Sequence, residues 1–376
     1  MAPYEPLDRR RGGFRWARPA MIKFRGCDGG GCGVKDWRTD PTFEVCRKVT
    51  DGADLAAFSG GPFDVRAAVA GVLPEPGQSL DIDAVPWGNF PHGHDVREAV
   101  SLLRAGGEPA VNATGLLRGM CADDSRAAAA LAVPFLIPLA IDAHHPHRTA
   151  ALAVLSGPAR ARHHGVASRE EFLLHRNDPR RHAPDTHDDY GYEVTGYPAG
   201  WSVAAARAAI TAATTALLPL LGDSDPTVRV DTAYALATAA DPARTIRTAL
   251  AKGFATEGDA MVRAALLLAT AEITRADPHP PSVRWLRQRW DDRAEAPEAR
   301  LSAAIGWLCL TGRSAPDELR RTVDTLADDE RAHAMEALPW MSAASGTNEP
   351  GLLRCRRCML HPEEPDPEEA FWDALF

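Results

Sequence analysis

Apolar residues follow two different rhythms along this chain of 376 residues. Up to about residue 83 they come in short runs between glycine-rich turns at 29–31 and at Gly60-Gly61. Thr42-Phe43-Glu44-Val45-Cys46 alternates polar and apolar positions, which predicts a strand, because successive strand side chains point to opposite faces. The stretch 21–83 therefore reads as a small cysteine- and glycine-rich α+β or β module, closed by a Pro-, Gly- and acid-containing linker at 74–83. Residues 1–20 carry Arg9, Arg10, Arg11, Arg15 and Arg18 with no apolar stretch behind them, the pattern of a disordered extension and not of a secretory signal.

From about residue 84 the period becomes helical. Val96, Ala99, Val100 and Leu103 share one helix face, with Asp95 expected as the cap and Gly106-Gly107 as the turn that follows. Further helices are predicted at 109–120, at 125–142 with a kink at Pro134 and Pro138, and at 148–155. Residues 159–200 lose the period and read as an irregular, His-rich insertion. Helices resume as 204–221 and 227–237. Residues 346–376 form an acidic tail ending in Phe371-Trp372-Asp373-Ala374-Leu375-Phe376, which is either a docking peptide or a helix capping the last repeat.

The second half repeats itself. Leu217, Leu218, Leu220 and Leu221 precede the turn Gly222-Asp223-Ser224-Asp225-Pro226, then Val228-Arg229 and an Ala-Leu run. Val262-Arg263 and Ala299-Arg300 echo it at intervals of 34 and 37 residues, which suits a two-helix unit. This arrangement resembles a HEAT repeat. The resemblance implies that Asp225 caps the second helix, that Val and Leu fill the seam between helix pairs, and that Arg229 pairs with a neighbouring repeat's aspartate. Arg229, Arg263 and Arg300 are then either inter-repeat ladder residues or contacts on a concave partner-binding face. The segments VPWGNFPHGHDVREAVSLL at 85–103 and ALAVPFLIPLA at 130–140 are similar to the lead segments of a group of actinobacterial HEAT-repeat proteins of uncharacterised activity. That resemblance covers roughly residues 82–340 and implies a mainly α chain, an α-solenoid of antiparallel helix pairs over 84–345.

Composition sharpens this picture at three points. The apolar fraction of 45% is rich in Ala, which favours closely packed helices over aromatic-rich cores. The net charge of −9 argues against general nucleic-acid binding, which needs basic surface to release counterions, and leaves room for a local basic groove. Seven scattered cysteines without an export signal suggest reduced thiols and a cytoplasmic location, and no run is apolar and long enough to span a membrane.

Candidate chemistry is sparse. Eight of the thirteen histidines lie within 144–187, and His182 and His187 beside Asp188 are loose candidates for a zinc site, against the alternative of a solvated loop. Cys27, Cys32 and Cys46 form one partial thiolate set, and Cys355 and Cys358 near His361 a second; each lacks a full zinc complement, and both read equally as free thiols. Trp285, Arg287, Arg289 and Trp290 make a basic, aromatic stretch. Some HEAT-like proteins are DNA glycosylases, so these residues suggest a nucleic-acid alternative; the other reading is an amphipathic repeat helix with Arg on its outer side. No phosphate-binding loop, nucleophile elbow or dinucleotide fingerprint is present. The sequence thus points to a non-catalytic binding or adaptor protein with a protein partner, no cofactor, and zinc and nucleic acid as the minor options.

Overall fold

The computed structural model describes residues 44–73, 80–119, 126–160, 166–174, 199–239, 243–312 and 314–367. All of them lie in one compact unit, Trp37–Phe376. The chain is mainly helical, with helices packed against helices, and no strand occurs among the described residues.

The expected strand at 42–46 is instead the start of α1, Glu44–Thr50. Five alternating residues are too few to separate the two periods, and Glu44 pairs with Lys48 one helical turn on. α2, Val65–Val72, is capped by Asp64, whose carboxylate accepts from the Arg66 backbone N–H. It packs on α5 and α8, and the Arg66 guanidinium lies 4.2 Å over the Trp201 ring. The described part of 21–83 is helical and packs on the main core, while 21–43 and 74–79 lie outside the described residues.

α3, Gly93–Ala105, begins two residues before the expected Asp95 cap. Its N-cap is His92 in the left-handed region (φ 54°), and Asp95 sits in the first turn, 3.3 Å from His92 Nδ1. A Cβ on Gly93 would lie 1.9 Å from the Trp87 carbonyl oxygen, so only glycine lets the chain enter the helix there. α4, Glu108–Gly119, returns antiparallel to α3. α5, Arg126–Ile141, runs through both internal prolines and is buried almost throughout, as an apolar helix without a polar face must be. α6, Arg148–Leu155, packs beside it.

The predicted insertion at 159–200 is partly core. α7, Gly157–Arg160, is buried, and Ala167, Phe172, Leu173 and Leu174 bury an irregular segment at 166–174. The expected single helix at 204–221 is α8 (Ala199–Ala212) and α9 (Thr214–Leu217) followed by a 3₁₀ turn Leu218–Gly222, bent by 61°. The bend lies at Ala213, and Pro219, which has no N–H to donate, falls in the 3₁₀ turn beyond it.

The remaining helices are α10 (Pro226–Leu236), α11 (Ala243–Thr256), α12 (Ala260–Ala276), α13 (Pro280–Asp291), α14 (Pro297–Thr311), α15 (Asp317–Leu326), α16 (Asp329–Met335), α17 (Pro339–Ala344) and α18 (Gly351–Leu360). α10, α12 and α14 lie side by side as an inner layer. A Cβ on Gly306 of α14 would come within 2.8 Å of Ala271 Cβ on α12, which marks how closely those two helices approach. α11 and α13 cover one side of the layer. The other side is covered too: Trp340 of α17 bonds Glu272, and Arg275 bonds the carbonyls of Arg169 and Glu170. Residues 264–274 of α12 and 301–309 of α14 are consequently buried without a break, on every helix face. No single helix among the described residues is long and apolar enough to cross a membrane.

Candidate functional site

Arginine side chains tie the successive units together. The Asp225 carboxylate accepts from the Thr227 N–H at 2.8 Å, which caps α10 as expected. Arg229, on the first turn of α10, does not pair with an aspartate. Its Nε and Nη2 reach Glu257 at 2.8 and 3.0 Å, and its Nη1 donates to the Asp223 carbonyl at 2.7 Å. Arg263 repeats the arrangement on α12, bonding Glu295 at 2.8 and 2.5 Å and the carbonyls of Phe254 and Glu257. These forked, partly buried pairs each join one helix pair to the turn of the next.

Arg300 departs from the ladder. Its Nε donates to the Trp290 carbonyl at 3.2 Å. The third acid-paired arginine is Arg331 of α16, 3.1 Å from Glu298 and also bonded to Asp328. The pairing is reversed at this step, with the acid, Glu298, on α14 and the arginine on the following α16. Arg229 and Arg263 thus hold units together, and the inner sides of α10, α12 and α14 offer no open wall among the described residues.

A second charged cluster, invisible to the repeat pattern, lies inside. Glu272 on α12 is fully buried and meets Arg160 Nη2 at 3.0 Å. Its other oxygen accepts from Trp340 Nε1 at 2.7 Å. Arg160 also donates to the Tyr234 carbonyl at 2.7 Å and stacks 3.3 Å over the Tyr234 ring, which meets Trp340 edge-on at 4.6 Å. Burial pushes the Tyr234 phenol up to about 12. Arg160, Glu272 and Trp340 are buried and Tyr234 partly so, and the cluster serves as a clamp among four distant segments.

The open concave feature is on the other side. α11 and α13 flank a groove of about 440 Å³, floored by Thr270 of α12 and lined by Arg244, Arg247, Thr248, His279, Ser282 and Trp285. Arg247 bonds Asp277 at 2.7 Å, and His279 Nδ1 lies 2.8 Å from Ser282 Oγ. Trp285 is held edge-on against Phe254 at 4.9 Å, with Arg263 3.8 Å over that same Phe254 ring. Arg244 has no carboxylate partner among the described residues, nor have Lys252, Arg284 and Arg287. α11 carries three basic residues and no acid, and α13 three arginines against Asp291.

The residues singled out from sequence divide accordingly. Trp285 lines the groove, and Arg287 is exposed two residues further along α13. Arg289 instead bridges Asp292 and Glu295, and Trp290 is buried against Trp307. Cys27, Cys32, His182 and His187 lie outside the described residues, and so does the Cys46 side chain. Cys355 and Cys358 are free thiols on α18, Cys355 fully buried with its pKa driven well up by that burial. His361 turns away to Asp324 at 2.8 Å. Among the described residues no three His, Cys, Asp or Glu side chains converge to hold a metal.

Comparison assigns no relative. No family model, curated protein or solved structure matches the chain. The groove residues Arg244, Arg247 and His279 went unrecognised in the sequence, as did Glu257, Glu295 and Glu272. One signal was available for the acids: Glu257 and Glu295 stand just ahead of the helix caps Asp259 and Ala296.

Proposed function

We propose that this chain is a non-catalytic binding protein built of HEAT-like antiparallel helix pairs, an α-solenoid of the kind its lead segments and Val-Arg repeats resemble. It holds an acidic protein partner on the outer faces of α11 and α13. One observation carries this reading: an acidic chain keeps Arg244, Lys252, Arg284 and Arg287 on α11 and α13 without a carboxylate partner among the described residues, Arg244 lining the groove between the two helices, while the inner helix layer is buried. Like-signed surface groups left without partners raise the encounter rate with a surface of opposite charge. The free thiols at Cys309, Cys355 and Cys358 favour a reducing compartment, such as the cytoplasm, as its place of work.

The test compares wild-type protein with an Arg284→Glu/Arg287→Glu variant in capture experiments, followed by reconstitution with the purified candidate. The expected result is a stoichiometric, salt-sensitive complex that the variant fails to form. The nucleic-acid reading, including a glycosylase, is distinguished with a labelled DNA duplex at low salt. Tight, salt-dependent binding with release of a base would replace the adaptor reading by an enzymatic one.

A further inference from the structure

Building on the binding-protein reading, we propose that the groove between α11 and α13 is a receptor for an acidic peptide segment bearing an aromatic side chain. Its dimensions come first. At about 440 Å³ the groove is of the size that accommodates one or two large side chains, not a duplex or a folded domain. Its chemistry is two-part. Trp285 offers an aromatic surface already fixed by its edge-on contact with Phe254, so little rotamer entropy is lost when a second ring packs there. Around it stand the guanidinium of Arg244 and that of Arg247, the second already oriented by Asp277. A planar guanidinium donates two parallel hydrogen bonds to a carboxylate.

Charge decides between acidic peptide and nucleic acid. The cations near the groove are few and clustered, whereas a phosphate backbone is bound by a continuous basic track, and the chain as a whole carries −9. Trp290, the second ring a base-stacking platform would need on this helix, is buried. Thr248, Ser282 and His279 supply short polar groups at the wall, suited to the backbone amides of an extended peptide. The chain itself contains a segment of the fitting chemistry at 368–376, where Glu368, Glu369 and Asp373 surround Phe371 and Trp372. That sequence defines the probe.

The experiment measures fluorescence anisotropy of a labelled synthetic peptide, Glu-Glu-Ala-Phe-Trp-Asp-Ala-Leu-Phe, titrated with the full chain at low and high salt. Saturable binding is expected, weakened by salt and by amide replacement of the peptide's acids. Arg244→Glu/Arg247→Glu should weaken it about tenfold or more, as reversal of contact charges does. Arg321→Glu on α15, away from the groove, should leave it unchanged. Circular dichroism of each variant confirms that the helices remain. The proposal is overturned if no binding is detected up to about 1 mM peptide at low salt, a ceiling of roughly −4 kcal/mol. It is also overturned if Arg244→Glu/Arg247→Glu binds as wild type, or if a single-stranded oligonucleotide displaces the peptide and binds more tightly. If the peptide fails while Arg284→Glu/Arg287→Glu still abolishes capture of a reconstituted partner, the groove's ligand is wrong and the binding-protein reading stands.

Discussion

α12 and α13 are consecutive helices with opposite economies of surface. α12 is buried along 264–274 without interruption, and two of its polar side chains find partners inside: Thr270 bonds the Leu266 carbonyl and Glu272 meets Arg160 and Trp340. α13 buries only Ser282, Leu286 and Trp290 and leaves Arg284 and Arg287 in solvent. A helix that is apolar around its whole circumference needs neighbours on every side, and α12 finds them in α10, α14, α11 and α17. The lesson concerns where binding surface is to be sought. The arginines that stand out in the sequence repeat bond the turns of neighbouring helix pairs, and the proposed binding surface is on the amphipathic helices outside.

The sharpest way to break this contrast is Glu272→Ala. It strands the Arg160 charge inside the protein, and the loss is about 3–5 kcal/mol, read by chemical denaturation. Gly306→Val should cost about 1–3 kcal/mol by forcing α12 and α14 apart, since even a methyl group there meets Ala271 at 2.8 Å. Next comes the ladder. A double-mutant cycle on Arg263 and Glu295 should give a coupling of about 1 kcal/mol, while Arg300→Ala, which loses a single bond to a carbonyl, should shift stability by about 0.5 kcal/mol.

A titration sharpens the inner side of the comparison. Burial raises the Asp231 carboxyl on α10 from 3.8 to about 7, the nearby Arg118 opposing and Asp225 adding to the shift. Between those two values the folded chain holds a proton that the unfolded chain has released. Stability contributed at this site therefore falls as pH rises through that window and levels off above it. Asp231→Asn removes the slope, so the variant should match wild type on the acid side and exceed it at neutral and alkaline pH in urea midpoints. Last and smallest, Arg287→Glu on the outer face should change stability by no more than about 0.5 kcal/mol, its effect appearing in binding alone.

Much of the helical half was legible in the residues themselves. Asp225 and Asp259 each precede an apolar period and each caps a helix, because a short acidic side chain satisfies the free N–H groups of a first turn. The helix at 148–155 matches its observed bounds. The reading failed where a local signal was short or a distant partner decided. Five residues of alternation at 42–46 gave way to a helix held by Glu44 and Lys48. Asp95 lost the cap to His92, whose backbone is set by the close passage of Gly93 against Trp87. Of the site, Trp285 was visible as part of an aromatic, basic run, but not which of its neighbours would be exposed. Glu272 carries no local mark at all. A glutamate among Leu, Ala and Ile at 264–274 is odd only once Arg160, 112 residues earlier, is known to face it.

The clamp around Glu272 also bears on how the molecule comes apart. In an array held only by neighbours, the ends fray first and the middle unzips in steps. Here a single carboxylate is gripped from α7 and α17, so the last helices cannot peel away without exposing an ion pair at the centre. Loss of either end is thereby converted into loss of the whole, and proteolytic trimming back past Trp340 should yield collapse in one cooperative transition instead of a shortened, stable stub.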